Sequence, residues 1–312
     1  MRKLCSLLIA FTLLIGFATP TWANSQSDLD AAITRTASYI LRTVRNPGVG
    51  EVGGDWAILG LARSGHPVPE LYFSRYLGAV ERHTRANNGV LDQRRVTEHS
   101  RVILGLTAAG FDPRDVAGFD LLAPLRDFDR VVWQGINGPI FALLALDSLD
   151  YPSELREQFV EEILNRQLAD GGWNLTGERG DPGITGMALQ ALAKYRDDPE
   201  VAAAVRRGLT FISRAQEESG GFSGNVESAV QVLVALTELN ISIDNPRFVK
   251  NGNTVLDNIL SFGNADGSFH HSRDSTESNL MATEQALYGL AAARRATNGQ
   301  NSLYRMSDRV VR

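Results

Sequence analysis

One five-residue kernel recurs six times along this chain: a small aliphatic, a large aliphatic, any residue, a small residue, then Leu. It reads "AILGL" at 57–61, "VILGL" at 102–106, "ALLAL" at 142–146, "ALQAL" at 188–192, "VLVAL" at 232–236 and "ALYGL" at 286–290. The closing leucines, Leu61, Leu106, Leu146, Leu192, Leu236 and Leu290, stand 45, 40, 46, 44 and 54 residues apart. Within a kernel the apolar positions fall at i, i+1 and i+4, which is one stripe of an α-helix. The small fourth position (Gly60, Gly105, Ala145, Ala191, Ala235, Gly289) leaves room for a neighbouring helix to come close. A period in this range marks stacked helical units.

Second helical segments lie between the kernels, over 29–44, 69–84, 153–168, 199–216 and 255–262, with a shorter one over 116–128. Six kernel helices alternating with six partners suit an open solenoid or a closed ring. Six pairs is a number at which such rings close, so the expected fold is all-α: an (α/α)6 toroid with kernel helices inside and partners outside. Three partner segments run into glycine and an aromatic, in "ILNRQLADGGW", "RGLTFISRAQEESGGF" and "ILSFGNADGSF". Gly171, Gly220 and Gly267 there are 49 and 47 residues apart. Glycine in the left-handed region stops a helix. Trp173, Phe222 and Phe269 are then expected to fold over the exposed end, with Gln167 and Gln216 bonding its free carbonyls.

The first 23 residues carry Arg2, Lys3, an apolar run of about fifteen residues and a small-residue close, the layout of a secretory signal cleaved after Ala23. The run falls short of the roughly 20 residues a membrane span requires. Residues 24–298 are the toroid, and the Arg-rich tail 299–312 is expected to be disordered. Cys5, the single cysteine, lies inside the leader, which excludes disulfides, thiolate metal sites and a Cys nucleophile from the mature chain. Without Arg2 and Lys3, 29 basic side chains face 36 acidic ones, a net charge of −7. An acidic exported protein is a poor phosphate-backbone binder, so nucleic acid is excluded as a partner. No stable membrane span remains after cleavage.

"RGLTFISRAQEESGGF" resembles the QW string of squalene and oxidosqualene cyclases. With "GDWAILGLARSG", "SRVILGL", "QGINGPIFALLALDS", "RFVKNGN" and "MATEQALYGL", it makes residues 30–296 similar to the terpenoid cyclase and protein prenyltransferase α/α-toroid superfamily. The likeness is closest to exported bacterial proteins related to the helical domain of intrinsic factor and transcobalamin. It implies an (α/α)6 toroid, in agreement with the helix count.

The resemblance does not carry that superfamily's chemistry across. Class II cyclases protonate substrate with Asp-x-Asp-Asp-Thr-Ala. The matching stretch here is "DPGITG", where Asp181 and Thr185 persist but Gly183 and Ile184 replace the inner acids. With no carboxyl there, no proton is delivered. Prenyltransferase zinc and the complement-type thioester both need a cysteine. His270-His271 has no third ligand at metal-like spacing. Neither a metal nor a cofactor is expected, and no catalytic residue is assigned. The cobalamin carriers clasp their ligand with a second, β-rich domain that has no counterpart in these residues.

Opposite the kernel stripe, the residues two, five and nine positions before each closing Leu face the ring's centre. They include Leu59, Leu104, Leu144, Trp56, Phe141, Met187, Arg101, Thr97, Asn137 and Gln190, then Val234, Tyr288, Gln231, Gln285, Glu227 and Met281. If the inner helices all start at one end, Asp55, Glu98, Glu227 and Glu284 gather at one rim. Acids also favour helix N-termini for capping and dipole reasons. The expected role is therefore non-catalytic: binding an amphipathic small molecule, or an extracellular protein or glycan. The candidate residues are Trp56, Glu98, Arg101, Phe141, Gln190, Glu227, Gln231, Glu284, Gln285 and Tyr288. Two alternatives stand beside it. One is an enzyme acting on glycans or isoprenoid-like lipids through rim carboxylates, and the other is a structural surface protein.

Overall fold

The computed structural model describes residues 21–50 and 52–312. Residues 1–20, which hold most of the expected leader, lie outside the described residues. Twelve α-helices occur among the described residues, and β-structure is limited there to isolated bridges. In chain order they are α1 (Thr21–Thr43), α2 (Asp55–Arg63), α3 (Glu70–Ala86), α4 (Thr97–Ala109), α5 (Phe128–Trp133) and α6 (Asn137–Asp147). There follow α7 (Arg156–Asn165), α8 (Pro182–Leu192), α9 (Pro199–Ala215), α10 (Val226–Glu238), α11 (Val255–Leu260) and α12 (Leu280–Thr297).

Every kernel falls in an even-numbered helix, and those six form the inner layer. α2 packs on α4, α4 on α6, α6 on α8, α8 on α10, α10 on α12, and α12 back on α2. The ring is closed: the fold is an all-α (α/α)6 toroid. Helices walled on all sides must be apolar all round, and α2 is buried along its whole length, as is α6 from Gly138 to Leu146. The odd-numbered helices form the outer layer and are one-sided. α9 buries Val201, Ala204, Val205, Gly208, Leu209 and Ile212, a single stripe, and starts on Asp198, whose side chain accepts from the amides of Glu200 and Val201.

The small kernel residues hold the inner helices close. A Cβ added at Gly60 would stand 3.1 Å from the Leu287 side chain and 3.3 Å from the Tyr288 backbone nitrogen, across the seam between α2 and α12. At Gly289 the nearest atom would be Val230 of α10, at 3.0 Å.

The glycine-aromatic strings join successive outer elements. Gly171, Gly220 and Gly267 have φ of 90°, 81° and 94°, the left-handed values expected of them. Their Cα atoms press on the next outer element: an added Cβ would lie 2.9 Å from the Arg207 carbonyl oxygen, 2.4 Å from that of Thr254 and 2.4 Å from that of Arg35. Trp173 does fold back, donating its indole N–H to the Ile163 carbonyl of α7 at 2.7 Å. The glutamines differ from expectation. Gln167 donates to the Gly171 and Ala204 carbonyls, and Gln216 to those of Gly220 and Phe248, so each bridges its own loop to the next outer element.

The 116–128 segment is not one helix. It holds a short 3-10 turn at Ala123–Arg126 before α5, which Asp127 caps by accepting from the Arg130 amide. The tail is also corrected. Residues 299–312, expected to be disordered, pack across the C-terminal ends of the inner helices with Leu303, Tyr304 and Met306 buried. Arg63, whose side chain is 0% exposed, donates to the carbonyls of Leu303, Ser302 and Arg305 and to Asp308. Asp308 also takes Arg295 at 2.6 Å. A buried guanidinium needs such partners, and the tail supplies them.

Candidate functional site at the N-terminal rim

A cavity of about 200 Å³ opens at the end of the ring where the inner helices begin. Trp56 from the first turn of α2 reaches towards the axis and meets Phe141 of α6 and Tyr288 of α12, with ring centroids 5.8 Å and 5.7 Å away. These three aromatics, with Met187 and Met281, give the cavity its apolar surface, and Thr97, Gln134, Asn137, Gln231 and Gln285 give it hydrogen-bonding groups. Gln231 donates to the Tyr288 hydroxyl and, at 3.1 Å, to Gln285 Oε1; Gln190 in turn donates to the Gln231 carbonyl and Oε1. This amide chain fixes which end of each side chain is the donor. Asn137 Oδ1 is buried with no hydrogen-bond partner among the described residues.

The charged part of the lining is one cluster. Arg101 meets Glu98 at 2.5 Å and Asp55 at 3.6 Å, and Arg95 meets the other Glu98 oxygen at 3.2 Å. Glu98, Arg95 and Arg101 all line the cavity. Glu98 is thereby clasped by two guanidiniums.

Two of the other rim acids, Asp55 and Glu284, hold the glycine-rich segment at Gly50 and Gly53. Asp55 is fully buried and accepts from the Tyr76 hydroxyl at 2.7 Å and the Gly50 amide at 3.3 Å. Glu284, equally buried, accepts from the Gly53 amide at 2.7 Å. Burial lifts the Asp55 carboxyl to about 7, against the pull of Tyr76 and Arg101. Burial also lifts Glu284 to about 8, opposed by its bond to Gly53 and reinforced by the Asp55 charge. Glu227 accepts from His271 Nδ1 at 2.8 Å and ties α10 to the loop after α11.

Of the ten candidates, Trp56, Glu98, Arg101, Phe141, Gln231, Gln285 and Tyr288 line the cavity. Glu284 and Glu227 do not, because loop backbone and His271 occupy them. Gln190 sits one layer deeper and lines a separate space of about 160 Å³ at the opposite mouth, beside Glu238 and Tyr304. It lies two positions before its closing Leu, where Met187 lies five, and at about 1.5 Å rise per residue that sets it below the aromatic layer. Arg95 and Gln134 were missed: they stand in the loops just before α4 and α6, where counting along a helix no longer applies. In "DPGITG", Asp181 caps α8 by accepting from the Ile184 amide at 2.8 Å, and the Thr185 hydroxyl accepts from the Trp173 amide at 2.9 Å. Asp181 and Thr185 are both used in holding the corner.

No family model matches the sequence, and no curated protein matches it either. Solved structures do match. A complex described as UGL with dGlcA-Glc-Rha-Glc aligns with a TM-score of 0.61 at 12% identity, covering 92% of this chain and 100% of that one. The unsaturated glucuronyl hydrolase of Bacillus sp. GL1, described as responsible for the degradation of glycosaminoglycan, aligns with a TM-score of 0.59 at 12% identity and the same coverage. A variant of the type II terpene cyclase MstE from Scytonema, in complex with merosterolic acid A, aligns with a TM-score of 0.53 at 12% identity, covering 88% of this chain and 99% of that one. At this identity the chain shares with them the α/α-toroid fold.

Proposed function

We propose that this is an exported glycan-binding toroid whose rim cavity takes one sugar unit. The observation that carries the reading is the pairing of the Trp56–Phe141–Tyr288 surface with a rim of side-chain amides around it. A sugar ring has an apolar C–H face and a hydroxyl edge, and needs both kinds of surface in one small cavity. The volume, about 200 Å³, is below the roughly 300–1,000 Å³ of pockets for drug-sized ligands, so it suits a single ring better than a polycyclic terpenoid. In this reading the QW-type strings mark a squalene-cyclase-like ancestry from which the acid motif has been lost. Saturation-transfer NMR with neutral and acidic mono- and oligosaccharides is the test. Ring protons of at least one sugar should receive saturation from the wild type and lose it in Gln285→Ala; silence across the panel overturns the reading.

Glycan cleavage is the second reading, favoured by the fold's likeness to the glucuronyl hydrolase and by a protonatable Asp55 3.6 Å from Arg101. Against it, two-carboxylate hydrolysis requires two acids facing the bound bond, and among the described residues Glu98 is the one carboxylate lining the cavity. Mass spectrometry of oligosaccharides after prolonged incubation separates the two, since a shortened product decides for cleavage.

A further inference from the structure

The outer wall of α9 carries a cationic groove in an otherwise acidic protein. Arg206, Arg207 and Arg214 are exposed and line an open groove of about 410 Å³ with Thr210 and residues 169–171 of the preceding corner. Arg206, Thr210 and Arg214 are spaced i, i+4, i+8, so they form one stripe about 12 Å long. Two exposed arginines on other outer helices pair with acids one turn away, Arg85 with Glu81 and Arg166 with Glu162. Arg206 and Arg207 have alanine, aromatic, aliphatic or threonine neighbours at those spacings. No carboxylate among the described residues pairs with Arg206, Arg207, Arg214 or the adjoining Arg247.

Two of the four are nevertheless held in place, and by neutral groups. Arg207 donates from Nε to Gln167 Oε1 at 2.9 Å, and its second nitrogen bonds the same oxygen. Arg247 donates to the Thr210 hydroxyl at 2.8 Å. Such bonds orient a guanidinium without cancelling its charge. Asp170, the one acid in the groove, is engaged by the Gly172 and Gly180 amides at 2.9 Å and 2.8 Å. A polyanion laid along the groove would supply the counter-charge that these guanidiniums do not find within the described residues.

We infer that this groove docks an anionic polysaccharide, its carboxylate or sulfate groups taken in pairs of hydrogen bonds by the α9 guanidiniums. The surface is unsuited to other polyanions. None of the exposed large hydrophobics among the described residues lines it, so it has nothing to insert into a bilayer. It has no aromatic platform on which bases could stack. The groove is outside the rim cavity, and docking there is independent of whether the cavity takes a sugar.

The test is direct binding of the full-length protein to polygalacturonate, with neutral dextran, vesicles rich in phosphatidylglycerol and duplex DNA as comparison arms. Polygalacturonate should bind and weaken as salt rises. Arg206→Ala/Arg214→Ala should bind at least tenfold more weakly, and Arg206→Glu/Arg214→Glu should not bind. These side chains are exposed, so the variants should keep the wild-type circular dichroism and unfolding midpoint. The inference is overturned if folded variants bind like wild type, if dextran competes, or if vesicles or DNA bind as well as polygalacturonate.

Discussion

Gly267 and Arg35 meet where the last outer element reaches the first: an added Cβ on Gly267 would stand 2.4 Å from the Arg35 carbonyl oxygen. The contact closes the outer layer as α12 against α2 closes the inner one. Gly267 also has a φ of 94°, which L side chains avoid. Gly267→Ala should therefore cost about 2–4 kcal/mol, since neither the backbone oxygen nor the dihedral can yield cheaply. Urea unfolding checks this, and a midpoint within error of wild type would contradict the closed seam.

The tail should behave as part of the fold. Asp308 is shared by Arg63 and Arg295, and Asp308→Ala removes the counter-charge from a guanidinium whose own side chain is 0% exposed, leaving it only the carbonyls of Ser302, Leu303 and Arg305. Removing one partner of such a buried pair costs about 3–5 kcal/mol, and the partly exposed Asp308 points to the low end. Limited proteolysis should leave 299–312 intact in the wild type and cut it in the variant.

Stability should fall as pH rises from 6.5 to 8. Asp55 and Glu284 titrate in the fold at about 7 and about 8, well above ordinary carboxylates. Over this range the native state still holds their protons while the unfolded chain has released them, so the slope of unfolding free energy against pH is negative. The loss integrates to about 2 kcal/mol. Buried His99, lowered to about 4 by desolvation and then by Arg130, acts in the opposite direction but mostly below pH 6.5. Asp55→Asn/Glu284→Gln should flatten the thermal midpoint between pH 6.5 and 8; an unchanged slope would refute the assignment.

Tyr288→Phe isolates the polar half of the cavity. It keeps the ring against Trp56 but removes the hydroxyl that takes the Gln231 amide and donates to Gln285 at 3.1 Å. Stability should drop by about 1 kcal/mol, while sugar affinity measured by titration calorimetry should fall about tenfold as Gln231 and Gln285 lose their alignment. Equal affinity in a folded variant would remove these amides from recognition.

Much of the cavity was legible because the inner helices are regular. Trp56, Arg101, Phe141, Gln231, Gln285 and Tyr288 follow from counting back along each kernel helix, since a 3.6-residue period fixes direction as well as spacing. The count fails at loops, which have no period: Arg95 and Gln134 stand there, and so does the glycine-rich segment that claims Asp55 and Glu284. Four acids at four helix starts look equivalent in sequence, yet one faces the cavity and three are spent on loop and neighbouring groups.

The sequence by itself determined the helices, their alternation and the faces they bury, because each depends on residues within a turn or two of one another. The tertiary structure alone decided that the ring shuts, that the tail locks onto Arg63, and that the α9 arginines share a groove with a distant corner. Those outcomes depend on contacts between segments far apart in the chain, where no local period relates one residue to the next and only the packed geometry sets the distance.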